Sequence, residues 1–200
     1  RVRHDPRVIP SLGTVFGQAC LFTTEPDHFI KLWRTWKRYL VNANLRSTSA
    51  VLGFPRIGPQ REVKKALEAY WGDKISAEEL LKVAKEQRLN TYATIKEQGV
   101  DFVPTGTFSL YDHVLDMSNT LGIIPEAYAK SGLSQLDTYF AMARGHQKGG
   151  VDLPATEMKK WFDSNYHYLV PEFSEKSEFK LNDNKPVDDF IEAKEAGYNA

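Results

Sequence analysis

"VLGFPRIGPQREVKK" (residues 51–65) decides how the rest of the chain is read. It opens as an apolar run, breaks at Gly53, Pro55, Gly58 and Pro59, and restarts with Arg61, Glu62, Lys64 and Lys65. The pattern predicts a short buried strand over 51–57, a tight turn, and a helix over 61–71 with Val63, Leu67 and Tyr70 or Trp71 on one face. Functional loops of α/β folds follow the C-terminal ends of strands, so this turn is a candidate site. Its charges run against the usual preference for acids in the first turn of a helix. Arg61 and Lys64 lie three residues apart and share a face. Beside the free N–H groups of a helix start, two such cations form an anion clamp. The alternative is an ordinary solvated, lysine-rich helix face.

Working outward, "SAEE" (residues 76–79) is a capping box that opens a long amphipathic helix reaching about Ile95, and Gly99 is placed to end it. "VDFVPTG" (100–106) reads as a second strand and "LYDHVLDMSNTLG" (110–122) as a helix. "LDTYFAMARG" (136–145) reads as another helix and "HQKGG" as a flexible loop. "TEMKKWFDSNYHYLVPEF" (156–173) leads into a third strand with its core at 165–170. "FKLN" suits a small strand or hairpin arm, and "KPVDDFIEAKEAG" (185–197) a final helix with Pro186 early. Strands alternating with helices predict an α/β fold with parallel strands. An open doubly wound sheet and a (β/α)8 barrel both satisfy that order.

The chain has 200 residues, 26 Lys/Arg, 26 Asp/Glu and one cysteine. Zero net charge favours no nucleic acid, and no apolar run reaches the roughly 18 residues of a membrane span. Cys20 alone makes no internal disulfide and no multi-cysteine zinc site. The charge is unevenly spread: residues 1–50 carry 8 Lys/Arg against 3 Asp/Glu. Within them, "FIKLWRTWKRYL" (29–40) has the pattern of a basic amphipathic helix, suited to targeting, a membrane surface or a calmodulin-type partner, or to a short packed helix. The first methionine is Met117, and the expectation is a fragment, a processed chain or a misjoined sequence.

Two further strand ends carry polar groups. "PTGTFSLYDHVLD" (104–116) offers Asp112 and His113, whose adjacency on a helix argues for a buried hydrogen-bonding role over an acid–base pair. "KKWFDSNYHY" (159–168) places Lys160 before the third strand, with Asp163, Asn165 and His167 alternating on one face of it. Asp163 and His167 could bind a metal, but no third ligand is evident. No Ser-His-Asp, phosphate-loop or cysteine-zinc motif is present.

Four long blocks, "VLGFPRIGPQREVKKALEAYWGDKIS", "GVDFVPTGTFSLYDHVLDMS", "LDTYFAMARG" and "EMKKWFDSNYHYLVPEF", closely resemble the N-terminal domain of the cobalamin-independent methionine synthases, in wording most like the fungal members. The resemblance covers residues 51–200. Residues 1–50 do not share it and are expected to be a non-native or disordered extension. The resemblance implies an enzyme of two face-to-face (β/α)8 barrels, with this chain holding the first three βα units of the first. The implied reaction moves a methyl group from 5-methyltetrahydropteroyltri-L-glutamate to L-homocysteine, giving L-methionine, without cobalamin. Zinc, held by His, Glu and two Cys of the absent second barrel, would activate the thiol. The matched folate-site positions are Arg61, Glu62, Val63 and Lys64 (valine replacing the family's leucine), Lys160 and Asn165. No catalytic or metal residue is expected in this chain, which alone should be inactive. The complete enzyme is expected to be cytoplasmic and monomeric. The rival readings are a non-catalytic anion-binding or interaction module and a related barrel using another methyl donor.

Overall fold

The longest element begins where the capping box places it. In a computed structural model, which describes residues 48–175 and 177–200, Ser76 caps the N-terminus of a helix over Ala77–Glu97. The Ser76 side chain accepts from the Glu79 amide at 3.2 Å, and the Glu79 carboxylate accepts from the Ser76 amide at 2.8 Å. Gly99, at φ 77°, follows its end. This helix, α2, packs against α1 (Glu62–Trp71). Next come α3 (His113–Thr120), the single turn α4 (Glu126–Ala129) and α5 (Gln135–Arg144). Four short strands follow: β1 (His146–Lys148), β2 (Val151–Leu153), β3 (Met158–Lys160) and β4 (His167–Leu169). The last helix is α6 (Lys185–Glu195), with its proline in the first turn.

The β structure departs from expectation. β1 pairs with β2 and β3 with β4, each as an antiparallel two-stranded ladder. The "HQKGG" stretch is the first arm and turn of a hairpin rather than a flexible loop. Gly149 and Gly150 are its two turn residues, at φ 61° and 83°, the paired positive φ values that a tight I′ hairpin turn requires. Residues 51–57 are not a buried strand. Leu52 is fully exposed and Phe54 is 44% exposed. The parallel pairing near them is an isolated bridge between Ala50 and Phe102, with Phe102 N–H donating to the Ser49 carbonyl at 3.1 Å. The expected second strand over 100–106 is reduced to that bridge. The "FKLN" segment forms no strand. Its Lys180 and Asn182 amides instead donate to the carbonyls of Leu121 and Thr120. Among the described residues the fold is therefore mixed helix and strand with small sheets, compatible with α/β, and no closed barrel is present. The expected basic helix over 29–40, and all of residues 1–47, lie outside the described residues.

Two apolar clusters hold these elements. The larger gathers Val63, Leu67, Leu80, Leu115, Phe140, Met142 and Leu169 from α1, α2, α3, α5 and β4, with Phe108 from the segment before α3. Leu80, Met142 and Val63 are its largest fully buried side chains. The smaller joins Tyr92, Ile95, Val103 and Ala193. Between α2 and α6, Arg88 makes a two-pronged ion pair with Glu192 at 2.7 and 2.8 Å. That pair holds the Glu192 carboxyl below its usual range.

Candidate functional site

The turn after residue 57 is built by backbone contacts. Gly58 sits at φ 87°, a conformation that favours glycine; a Cβ there would also displace the Glu62 carboxylate, which lies 2.1 Å from its position. Glu62 accepts from the Gln60 amide at 3.0 Å and supplies the acid that a first helical turn favours. Arg61 occupies the N-cap in a left-handed conformation, φ 64°. Its amide donates to the Gly58 carbonyl, and the Val63 amide to the Ile57 carbonyl, both at 3.1 Å. Two of the amides expected to face an anion are therefore spent on the loop.

The first turn of α1 then separates the predicted site residues. Val63 is fully buried in the core. Lys64 reaches the surface with a half-exposed side chain, 3.6 Å from Glu68. It lines a cleft of about 340 Å³ between α1 and the segments around Leu110–Asp112 and β4. The walls are apolar and aromatic, from Leu67, Trp71, Tyr111, Met158, Tyr168 and Leu169. The polar groups at its edges are Arg56, Lys64, Glu68, Asp112 and His167. A concave apolar site with a few converging polar groups is the usual form of a small-molecule pocket. Trp71 Nε1 is buried without a hydrogen-bond partner among the described residues.

Arg61, Lys160 and Asn165 do not line the cleft. Lys160 is exposed on β3 and pairs in register with His167, a cleft residue. Asp163 and Asn165 do not share a strand face with His167, because residues 161–166 form the loop between β3 and β4. Phe162 in that loop is 93% exposed at φ 50°. Trp161 packs against Tyr168 at 4.6 Å and stacks with His113 at 6.1 Å.

Sequence reasoning missed Arg56. Its guanidinium donates to the carbonyls of Leu110 and Tyr111 at 3.5 and 3.2 Å, tying residue 56 to the segment just before α3. The available signal was a cation at the end of the same turn-rich stretch. Asp112 has the buried hydrogen-bonding role expected of it: its carboxylate caps α3 by accepting from the Leu115 amide at 2.9 Å. Behind it, the Tyr139 hydroxyl accepts from the amides of Tyr111 and Asp112 and donates to Asp116 at 2.7 Å. Burial raises the Asp116 carboxyl, opposed by that hydrogen bond and by Lys185. Burial also pushes the Tyr139 hydroxyl well above its usual range, reinforced by the Asp116 charge. No group of three or more His, Cys, Asp or Glu among the described residues could hold a metal ion, so they do not fit a zinc site. Nor is any described helix long and apolar enough to cross a membrane.

Comparison with known proteins places this geometry in context. Residues 48–200 match the family model described as "Cobalamin-independent synthase, N-terminal domain". Over 155 residues the chain is 59% identical to the probable 5-methyltetrahydropteroyltriglutamate–homocysteine methyltransferase of Schizosaccharomyces pombe, and 56% identical to the Saccharomyces cerevisiae methyltransferase. Each alignment covers 74% of this chain and 20% of the relative. The Flavobacterium johnsoniae methyltransferase is 54% identical over 149 residues, covering 73% of this chain and 19% of the relative. The chain thus spans about a fifth of the length of these curated relatives.

Proposed function

Because the chain belongs to the cobalamin-independent synthase family and matches its N-terminal-domain model over residues 48–200, we propose that these residues contribute folate and polyglutamate binding to a methyltransferase. That enzyme moves a methyl group from 5-methyltetrahydropteroyltriglutamate to homocysteine, the two compounds in its relatives' names. The single observation that carries the reading is the cleft beside α1. Its aromatic walls suit a flat heterocycle, and Lys64 and Arg56 at its edge suit carboxylates. Lys64 is the predicted folate residue that lines it. Arg61, Glu62, Lys160 and Asn165 belong to the same proposal as groups outside the cleft, with Lys160 next to it through His167. Val63, fully buried, enters the proposal as core support for the first turn of α1 rather than as a contact.

The same reading places the chain at the start of a (β/α)8 barrel. The parallel bridge from Ala50 to Phe102, with α1 and α2 between, supports a first βα crossover. In this reading zinc would be held elsewhere in the complete enzyme and would supply activation of the thiol, and no chemical step is assigned to the described side chains. Their work is to bind and orient the methyl donor.

The test is equilibrium binding of the triglutamate and monoglutamate forms of 5-methyltetrahydropteroate to the full chain at two ionic strengths. The triglutamate should bind more tightly, and the gap should narrow as salt rises, since exposed charge contacts are screened over about 10 Å at 0.1 M. Equal, salt-insensitive binding of the two forms would contradict a carboxylate-binding edge.

A further inference from the structure

We infer that Asp112 is a positioning residue for the cleft: a single carboxylate oxygen ties β4 to the start of α3 and thereby sets the places of His167 and Tyr168. The inference rests on the folate-binding reading and deepens it.

Asp112 is 7% exposed. Its Oδ2 accepts from two backbone amides, Leu115 at 2.9 Å and Leu169 at 3.2 Å. The first is an ordinary helix cap. The second is not, for Leu169 lies 57 residues away and belongs to β4, the strand that brings His167 and Tyr168 to the cleft. A cap alone needs no such reach.

The segment that carries Asp112 is itself immobilised. The Tyr139 hydroxyl accepts from the amides of Tyr111 and Asp112 at 3.1 and 3.3 Å. Arg56 donates to the carbonyls of Leu110 and Tyr111. The carboxylate is thus presented from a fixed platform, and β4 is fastened to it. Without the link, β4 keeps its antiparallel pairing with β3. That ladder is three residues long on each strand, and a two-stranded ladder is marginal by itself. Leu169 stays anchored by its side chain in the main core, but His167 and Tyr168 ahead of it would then be free to shift relative to Lys64, which stands on α1.

Because both amides meet the same oxygen, the two roles can be separated. Serine is a good N-cap but is shorter, so Asp112→Ser keeps the α3 cap and drops Leu169. Asparagine presents an oxygen at the same place, so Asp112→Asn keeps both contacts without the charge. The experiment measures binding of 5-methyltetrahydropteroyltriglutamate to the full chain and both variants by calorimetry, alongside thermal unfolding. Asp112→Ser should still unfold cooperatively, somewhat below wild type because the buried Leu169 amide loses its acceptor, and bind about 10-fold more weakly, while Asp112→Asn should return to within about 3-fold of wild type. Wild-type affinity in Asp112→Ser would overturn the positioning role. Asp112→Asn binding as weakly as Asp112→Ser would overturn it too, by showing that charge and not the tie matters. A wild-type chain that binds no triglutamate would overturn the folate reading itself, and this inference with it.

Discussion

The two walls of the cleft are made differently. The α1 wall is a helix face whose underside, Val63, Ala66 and Leu67, is sunk in the main core. The opposite wall is the three-residue strand β4 with Met158 of β3 beside it and the segment 110–112 that starts a capped helix, joined by a few polar contacts. The first wall is held by apolar packing, which is non-directional and spread over many contacts. The second shares that core through Leu115 and Leu169 and is fixed in addition by directional bonds at Asp112, Tyr139 and Arg56, each of which can be removed singly. Substitutions should therefore cost stability on the helical side and affinity on the β4 side.

The largest effect is expected where the helices meet. Leu80 on α2 is fully buried against α1, and Leu80→Ala should cost about 2–5 kcal/mol by loss of burial and the cavity left behind. Chemical denaturation reads this directly, and a loss near zero would mean that the helical wall is not packed as described.

A smaller loss is expected at the Arg88–Glu192 pair. The Arg88 hydrogen bond and charge lower the Glu192 pKa below its ordinary 4.5. A depressed carboxyl contributes stability above about pH 4.5 and loses it as pH falls through the lowered value. Glu192→Gln should therefore cost about 1.5–3 kcal/mol at pH 7, and the difference from wild type should close on acidification below 4.5. A pH-independent difference would assign the loss to packing.

In the hairpin, Gly150 has open space around its missing side chain, so only its backbone conformation is at issue. Gly150→Ala should cost about 1–2 kcal/mol, the penalty of the left-handed region, and should leave triglutamate affinity unchanged. A loss of affinity would connect this hairpin to the cleft.

The smallest effect on stability should come from Arg61→Gly. Arg61 already sits at φ 64°. Relief of that conformation, about 1–2 kcal/mol, is offset by glycine's chain entropy of about 0.5–1 kcal/mol. The net stability change should be within about 1 kcal/mol. Affinity should fall less than for Lys64→Ala, because Arg61 does not line the cleft. A larger fall would restore Arg61 to the centre of the anion site.

The same contrast governs what the sequence could reveal. The helices were legible because their signals are local. Ser76 and Glu79 satisfy each other within one turn, and Gly99 and Pro186 mark helix ends from their own backbone preferences. Strands need a partner that the local sequence does not contain. Residues 51–57 are apolar enough for a strand, yet beside them only Ala50 meets a partner, Phe102, and so they remain an exposed loop. The Gly149-Gly150 pair suits a flexible loop and a tight hairpin turn alike, and the pairing of β1 with β2 decides between them. In the site, Lys64 and the buried role of Asp112 follow from position and residue type. Arg56 and the bond from Leu169 to Asp112 depend on segments more than 50 residues apart, which periodicity cannot bring together.

The central claim, that the cleft edge at Lys64 binds the carboxylates of a folate tail, is tested most directly by one comparison. Binding of the triglutamate and monoglutamate substrates is measured for wild type and for Lys64→Ala at low and high salt. A charge-assisted contact of about 1.5–3 kcal/mol predicts a loss of roughly 10- to 150-fold for the triglutamate at low salt. The loss should be smaller for the monoglutamate, and both should shrink as salt rises. Equal losses for the two substrates would remove Lys64 from the distal tail, and unchanged affinity for both would contradict the assignment altogether.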